Sequence, residues 1–339
     1  MLLSFLLRRL LFLAKRLLLL RHRTSTFMAQ PVSLLTSHAT GRAFGKAILL
    51  GEHTVVYGAS AVAVGLERGV DARARLAGQG RLRVGERVAM VNDGSELGEA
   101  FAAVLTTIGA PFDLDVEADL EFPAGSGLGA SAALAVAIAR AVQTLLGQAG
   151  SSPASAAQAW ERVFHENPSG IDAALAAAGG CLEYRKGSGT TSLRLARDLV
   201  LAVALAGPPK STRLMVEKVR AYRDAHPTIF DKTLGLCESL VTRGKRYLAS
   251  GDLAGLGAAL DSNHDILCSL GVSTAALNDA CSLARRHGAL GAKLTGSGGG
   301  GAVVALSDGD PSPILAAWSA HGLESFQTRV RSTGEAPAS

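Results

Sequence analysis

The chain has 339 residues, 48% of them apolar, and a formal net charge of +5, enough material to bury one large core or two moderate ones. The charge is unevenly placed: residues 1–27 hold six of the 34 basic side chains (Arg8, Arg9, Lys15, Arg16, Arg21 and Arg23) and no acid, so the remaining 28 basic side chains meet 29 acidic ones, a net of −1. A near-neutral body with few, scattered aromatics excludes a nucleic-acid footprint and a base-stacking platform.

In chain order, the basic segment comes first. Its longest uncharged apolar run, 2–7, falls far short of the roughly 18–20 residues that a membrane span requires. Basic side chains recur at seven-residue intervals (Arg8, Lys15, His22 and Arg9, Arg16, Arg23), which gives a helix with one cationic stripe on a Leu-rich remainder. Such a helix suits a membrane surface or an organellar import signal. The alternative is that translation begins at Met28, in which case 1–27 is an over-extended start and there is no membrane contact. Residues 1–38 are therefore set apart from the fold, and the tail 332–339 reads as disordered.

From about residue 40 a strand-like apolar run carries Lys46 and ends on Gly51, Glu52 and His53. Short alternating strands at 62–66, 71–76, 81–84 and 113–117 precede a glycine-rich loop and an alanine-rich helix, Ala130–Leu146; a second helix spans 156–165. From 199 the order is a strand at 199–206, helices at Thr212–Ala225, 233–250 and 273–287, then strand, glycine turn and strand across 292–306. The pattern predicts a mixed α+β fold with a boundary near 198, dividing 39–198 from 199–331. The four cysteines, Cys181, Cys237, Cys268 and Cys281, have neither C-x-x-C spacing nor a histidine pattern for zinc, so reduced, mostly buried thiols in a reducing cytoplasm are expected.

Three glycine-marked segments carry the chemistry: 45–58, 122–133 and 293–306. In the middle one Gly125, Gly127 and Gly129 stand directly ahead of a helix, where backbone N–H groups can approach a ligand and the helix start favours an anion. The loop lacks the Lys-Ser/Thr that a P-loop places after its last glycine, since Ala130, Ser131 and Ala132 follow instead. Its G-x-G-x-G spacing, with no acid across 147–159, also departs from the dinucleotide fingerprint. Taken alone, the loop reads either as a phosphate cradle or as a turn that lets a strand abut a helix. Ser131, Glu161 and Asp172 likewise have plain readings: a helix-start serine, a surface glutamate, and an acid offsetting a helix dipole.

The residues 123–133 resemble the Pro-x-x-x-Gly-Leu-Gly-Ser-Ser-Ala loop of the GHMP small-molecule kinases, and the strings GKAILLGEHTVVYG (45–58), HENPSGID (165–172), STRLMVEKVR (211–220), NHDILCSLGVS (263–273) and GAKLTGSGGGGAVVAL (291–306) extend the resemblance from about 42 to 306. Within that superfamily the mevalonate kinases are the nearest resemblance. Galactokinases usually read GEHTDY, with an acid where this chain has Val55, which argues against a sugar substrate.

The resemblance implies a ribosomal-protein-like N-terminal domain, a ferredoxin-like C-terminal domain and an active site between them. It implies ATP and Mg2+, mevalonate as substrate, and a homodimer. The ATP loop would be Pro123, Ala124, Gly125, Ser126, Gly127, Leu128, Gly129, Ala130 and Ser131, with Ser131 and Glu161 on the metal. Ala130 replaces the first serine of the family's Ser-Ser, which removes one possible phosphate contact. Asp172 would be the base and Lys46 its partner cation; a close pair keeps both charged, so the acid orients the hydroxyl as much as it deprotonates it. Substrate contacts would come from Lys46, Glu52, His53, Asp172, Thr212 and Gly298. His165, four residues from Glu161, reads as packing, and Glu166 stands where family members often carry Gly. A sister kinase acting on phosphomevalonate or another small alcohol, and a non-catalytic relative acting as a ligand sensor, are the alternatives. Sensors tend to lose the base or the metal ligand, whereas Lys46, Ser131, Glu161 and Asp172 are all present.

Overall fold

A computed structural model describes residues 37–332 apart from 77, 149–151, 165–169 and 209. The expectations for residues 1–36, for His165 and Glu166, and for the tail from 333 fall outside the described residues. The mixed α+β prediction holds. Strand β1 (Ala39–Leu50) pairs antiparallel with β2 (Ser60–Leu76), whose other edge takes β6 (Cys181–Arg185) along 60–64 and β5 (Leu114–Leu120) along 70–76. Beyond β5 lie β3 (Arg81–Val84) and β4 (Arg87–Met90), and β7 (Gly189–Ser192) closes the other edge. The two strands expected at 62–66 and 71–76 are thus one. Glu67 and Arg68, which break the apolar alternation, form a bulge opposite Phe44 and Gly45, with the Arg68 guanidinium 4.3 Å over the Phe326 ring, and the backbone continues through Gly69, where a Cβ would strike the Ala43 carbonyl.

The helices α1 (Glu96–Ile108), α2 (Ala130–Leu146), α3 (Pro153–Phe164) and α4 (Ile171–Ala178) cover one face of this sheet. The alanines of α2 serve its packing: the helix sits so near β1 that a Cβ on Gly41 would strike the Ala137 carbonyl. Sequence periodicity left α1 unassigned, although Ser95 caps it by accepting from the Gly98 N–H and Gly109 ends it in the left-handed conformation.

The chain then changes sheet, between Ser192 and Leu199. A four-stranded antiparallel sheet runs β11 (Ser325–Val330), β8 (Leu199–Leu205), β10 (Ala302–Ser307), β9 (Gly291–Thr295). The uniformly apolar β8 has a simple cause: both of its faces are covered. Leu199, Leu201 and Val203 pack with Leu49, Leu50, Val62 and Val64 of the first sheet, whereas Ala202 and Ala204 pack with Trp318, Leu277 and Ala284. The helices here are α5 (Thr212–Ala225), α6 (Pro227–Ser250), α7 (Leu253–Ser269), α8 (Ala275–Arg286) and α9 (Ser312–Ala320). One core therefore spans both sheets. All four cysteines are free thiols, three of them buried and Cys268 partly so. No helix among the described residues is long and apolar enough to cross a membrane.

Candidate active site

The glycine loop is fastened to β1 at the predicted lysine. The Lys46 backbone N–H donates to the Leu128 carbonyl at 2.8 Å, and a Cβ on Gly129 would lie 2.7 Å from Lys46 Cγ. Gly125, Gly127 and Gly129 all have positive φ (81°, 85° and 79°), a backbone that L side chains resist. Gly129 is the N-cap of α2 and caps nothing through a side chain, which leaves the first N–H groups of the helix for an anion. Within the loop the Ser126 hydroxyl is buried and is the lone buried side-chain polar atom without a partner among the described residues. A phosphate oxygen would satisfy both donors.

Beside the loop stand the predicted charged residues. Lys46 Nζ lies 3.5 Å from Asp172 Oδ1, the lysine nearly buried and the acid 30% exposed. Asp172 occupies the first turn of α4, and Glu161 comes from α3. Burial pushes the Glu161 carboxyl up to about 8; the neighbouring Asp172 charge pushes the same way and Lys46 opposes both. Ser131, exposed in the first turn of α2, accepts a hydrogen bond from the Trp160 indole N–H at 3.0 Å. Lys46, Ser131, Glu161 and Asp172 are thus gathered from β1, α2, α3 and α4. A hydroxyl and a buried, undercompensated carboxylate form a hard-oxygen set of the kind that magnesium takes alongside nucleotide phosphates.

The glycine turn of the second sheet meets this loop backbone to backbone: a Cβ on Gly127 would lie 3.2 Å from the Thr295 carbonyl, and one on Gly296 would lie 3.1 Å from Gly127 Cα. Thr212, exposed at the start of α5, donates to Ser297 Oγ at 3.4 Å. Gly298 has φ 75° and packs on the Val272 carbonyl, with the Gly299 N–H donating to the same oxygen at 2.7 Å, so its glycine identity follows from that packing.

Glu52 departs from expectation. Its carboxylate does not face outward toward a substrate but is buried in an ion pair with Lys293, and its second oxygen accepts from Asn263 Nδ2 at 3.2 Å. The same asparagine accepts from the Gly51 N–H at 3.0 Å, and Thr295 Oγ1 accepts from the Ile48 N–H at 2.8 Å. His53 is buried as well. Its Nε2–H donates to the Ser297 carbonyl at 2.9 Å, and burial lowers its pKa, so the ring is neutral. Its backbone has φ 60°, one of two non-glycine residues with positive φ among the described residues. The physical reason is the lysine: Lys293 sits in the fully buried strand β9 and needs a carboxylate beside it. Lys293, Asn263, Thr295 and Trp160 were missed from the sequence. A lysine inside the apolar run GAKLT was the available signal for the first of them.

Two family models match, GHMP kinases N terminal domain at residues 96–180 and GHMP kinases C terminal at 245–323. A mevalonate kinase of Thermococcus sibiricus is 34% identical over 320 residues, covering 85% of this chain and 95% of that protein. This chain belongs to the mevalonate kinase family of GHMP kinases. A Pyrococcus horikoshii mevalonate kinase is 31% identical over 88% of this chain and 98% of its own length. Among solved structures, L. major mevalonate kinase in complex with R-mevalonate superposes with a TM-score of 0.80 at 28% identity, covering 91% of this chain and all of that one. Kinase family membership assigns ATP as the phosphoryl donor and accounts for the anion-ready loop.

Proposed function

We infer that the protein transfers the γ-phosphoryl group of ATP to a hydroxyl of mevalonate, giving 5-phosphomevalonate for isoprenoid synthesis. The observation that carries this reading is the Lys46–Asp172 pair at 3.5 Å beside the glycine loop, in a chain 34% identical to a mevalonate kinase. The substrate hydroxyl attacks the γ-phosphorus, an O–P bond forms as the bond to the β-phosphate oxygen breaks, and Asp172 takes the hydroxyl proton. ADP leaves with the electron pair. The transition state is loose and highly charged, so positioning and electrostatic stabilisation dominate. Lys46 supplies a fixed cation next to the acid, and Ser126 with the α2 amides binds phosphate oxygens. Ser131 and Glu161 would hold Mg2+, whose role is to neutralise phosphate charge. Thr212 and the turn carrying Gly298 lie on the opposing wall; Glu52 and His53 shape that wall from behind.

The test is an ADP-release assay across mevalonate, phosphomevalonate, homoserine and galactose. Turnover confined to mevalonate is the expected result. Preference for phosphomevalonate would shift the assignment to a sister kinase, and no ADP release with any of them would favour a ligand sensor.

A further inference from the structure

Trp160 precedes the proposed metal carboxylate Glu161 on α3, yet its ring points at a different element. It is 2% exposed, and its single donor, the indole N–H, reaches Ser131 Oγ on α2 at 3.0 Å. The ring is held against Phe164, centroids 5.9 Å apart. The other tryptophan, Trp318, sends its indole N–H to the Ala280 carbonyl, the ordinary way of satisfying a buried indole. Trp160 instead binds an exposed hydroxyl that is itself proposed as a metal ligand.

We propose that Trp160 is a positioning residue that orients the Ser131 hydroxyl for the cation bound with ATP, an inference that rests on Ser131 and Glu161 holding that cation. An indole N–H can only donate, so it fills one lone pair of Ser131 Oγ and fixes the direction of the other. The remaining lone pair is left for the cation and the hydroxyl proton for a phosphate oxygen. Because Trp160 and Glu161 are consecutive on one helix, the same α2–α3 packing that seats the indole also sets the separation of the two ligands. The hydroxyl is thereby ordered before the cation arrives, and ordering a ligand in advance raises affinity.

The experiment measures the Mg2+ concentration for half-maximal binding of a non-hydrolysable ATP analogue, by calorimetry, in wild type, Trp160→Phe, Ser131→Ala and the double variant. Trp160→Phe keeps the ring and deletes the N–H. It should raise the Mg2+ midpoint about threefold to tenfold, the worth of one hydrogen bond to a metal ligand. Ser131→Ala should raise it further, and the double variant should match Ser131→Ala alone. An unshifted midpoint in Trp160→Phe, or a shift that adds in full to that of Ser131→Ala, overturns the proposal while leaving the metal site in place. Unshifted midpoints in both Ser131→Ala and Glu161→Gln overturn the metal assignment and the proposal with it. A second readout needs no Trp160 variant: the chain has two tryptophans, so the 15N spectrum has two indole signals. The one displaced by Ser131→Ala should move when Mg2+ is added to the analogue complex of wild type, and should stay still in Ser131→Ala. A wild-type signal indifferent to Mg2+ contradicts the proposal.

Discussion

Two lysine–carboxylate pairs each have one member on or just past β1, and they do opposite things. Lys46–Asp172 is separated by 3.5 Å with the acid 30% exposed, whereas Lys293–Glu52 is sealed, its side chains 0% and 1% exposed. The sealed pair has every polar atom engaged: Lys293 Nζ also donates to the Ile48 and Leu294 carbonyls, and Glu52 accepts from Asn263. A charge so completely satisfied cannot exchange a proton with a substrate. It ties the end of β1 to β9 instead. The open pair keeps carboxylate surface for a hydroxyl, and that difference in burial separates chemistry from architecture between residues of the same type.

The largest effect expected from breaking this contrast is on folding. Lys293→Met leaves Glu52 buried without its cation and should cost about 3–5 kcal/mol in urea unfolding, and adding Glu52→Leu should recover part of that loss. A loss under about 1 kcal/mol would show that the pair is not sealed.

Next comes the fit of loop to lysine. Gly129→Ala places a methyl 2.7 Å from Lys46 Cγ at a φ of 79°, so Lys46 must move. Turnover should fall about tenfold to a hundredfold, as misplacement by an ångström does elsewhere, and the left-handed backbone should cost about 1–2 kcal/mol of stability besides. Wild-type turnover would mean that Lys46 has slack.

Much of this site was legible in the sequence because glycines, a helix-start serine and a first-turn acid are local signals. Helices α2 and α5 follow from propensity and capping at their predicted bounds, Ala130–Leu146 and Thr212–Ala225. Glu52 was legible as a residue and not as a role: its partner lies 241 positions away, and only the assembled β1–β9 contact shows that it faces inward. Helix α7 escaped because its apolar run 253–260 is followed directly by five polar residues, 261–265, so the helical stripe is weak and the cap at Asp252 is the clearest mark it carries. Trp160 carries no local signal in the sequence, and its donor to Ser131 emerges only when α3 packs on α2.

A smaller effect concerns Glu161. The unfolded chain releases this proton near 4.5 and the folded protein near 8, so the neutral carboxyl stabilises the fold fully below 4.5 and loses that contribution as pH rises to about 8. Stability without Mg2+ should therefore decline across that window more in wild type than in Glu161→Gln. With nucleotide present, Glu161→Gln should raise the Mg2+ requirement about tenfold. Identical pH profiles, measured by thermal unfolding, would remove the buried-carboxylate picture.

The smallest effect completes the series. Arg197–Asp308 is 51% and 57% exposed, and Asp308→Asn should change stability by less than about 0.5 kcal/mol. A cost comparable to that of Lys293→Met would mean that burial does not order the three pairs.

The most direct measurement is made on Asp172→Asn, which keeps the size and place of the side chain and removes its capacity to hold a proton. Turnover with mevalonate should fall by at least about a hundredfold, or roughly 3 kcal/mol of transition-state stabilisation, while ATP-analogue affinity stays within a few-fold of wild type and the unfolding midpoint is preserved. Turnover above a tenth of wild type would contradict a catalytic role for Asp172.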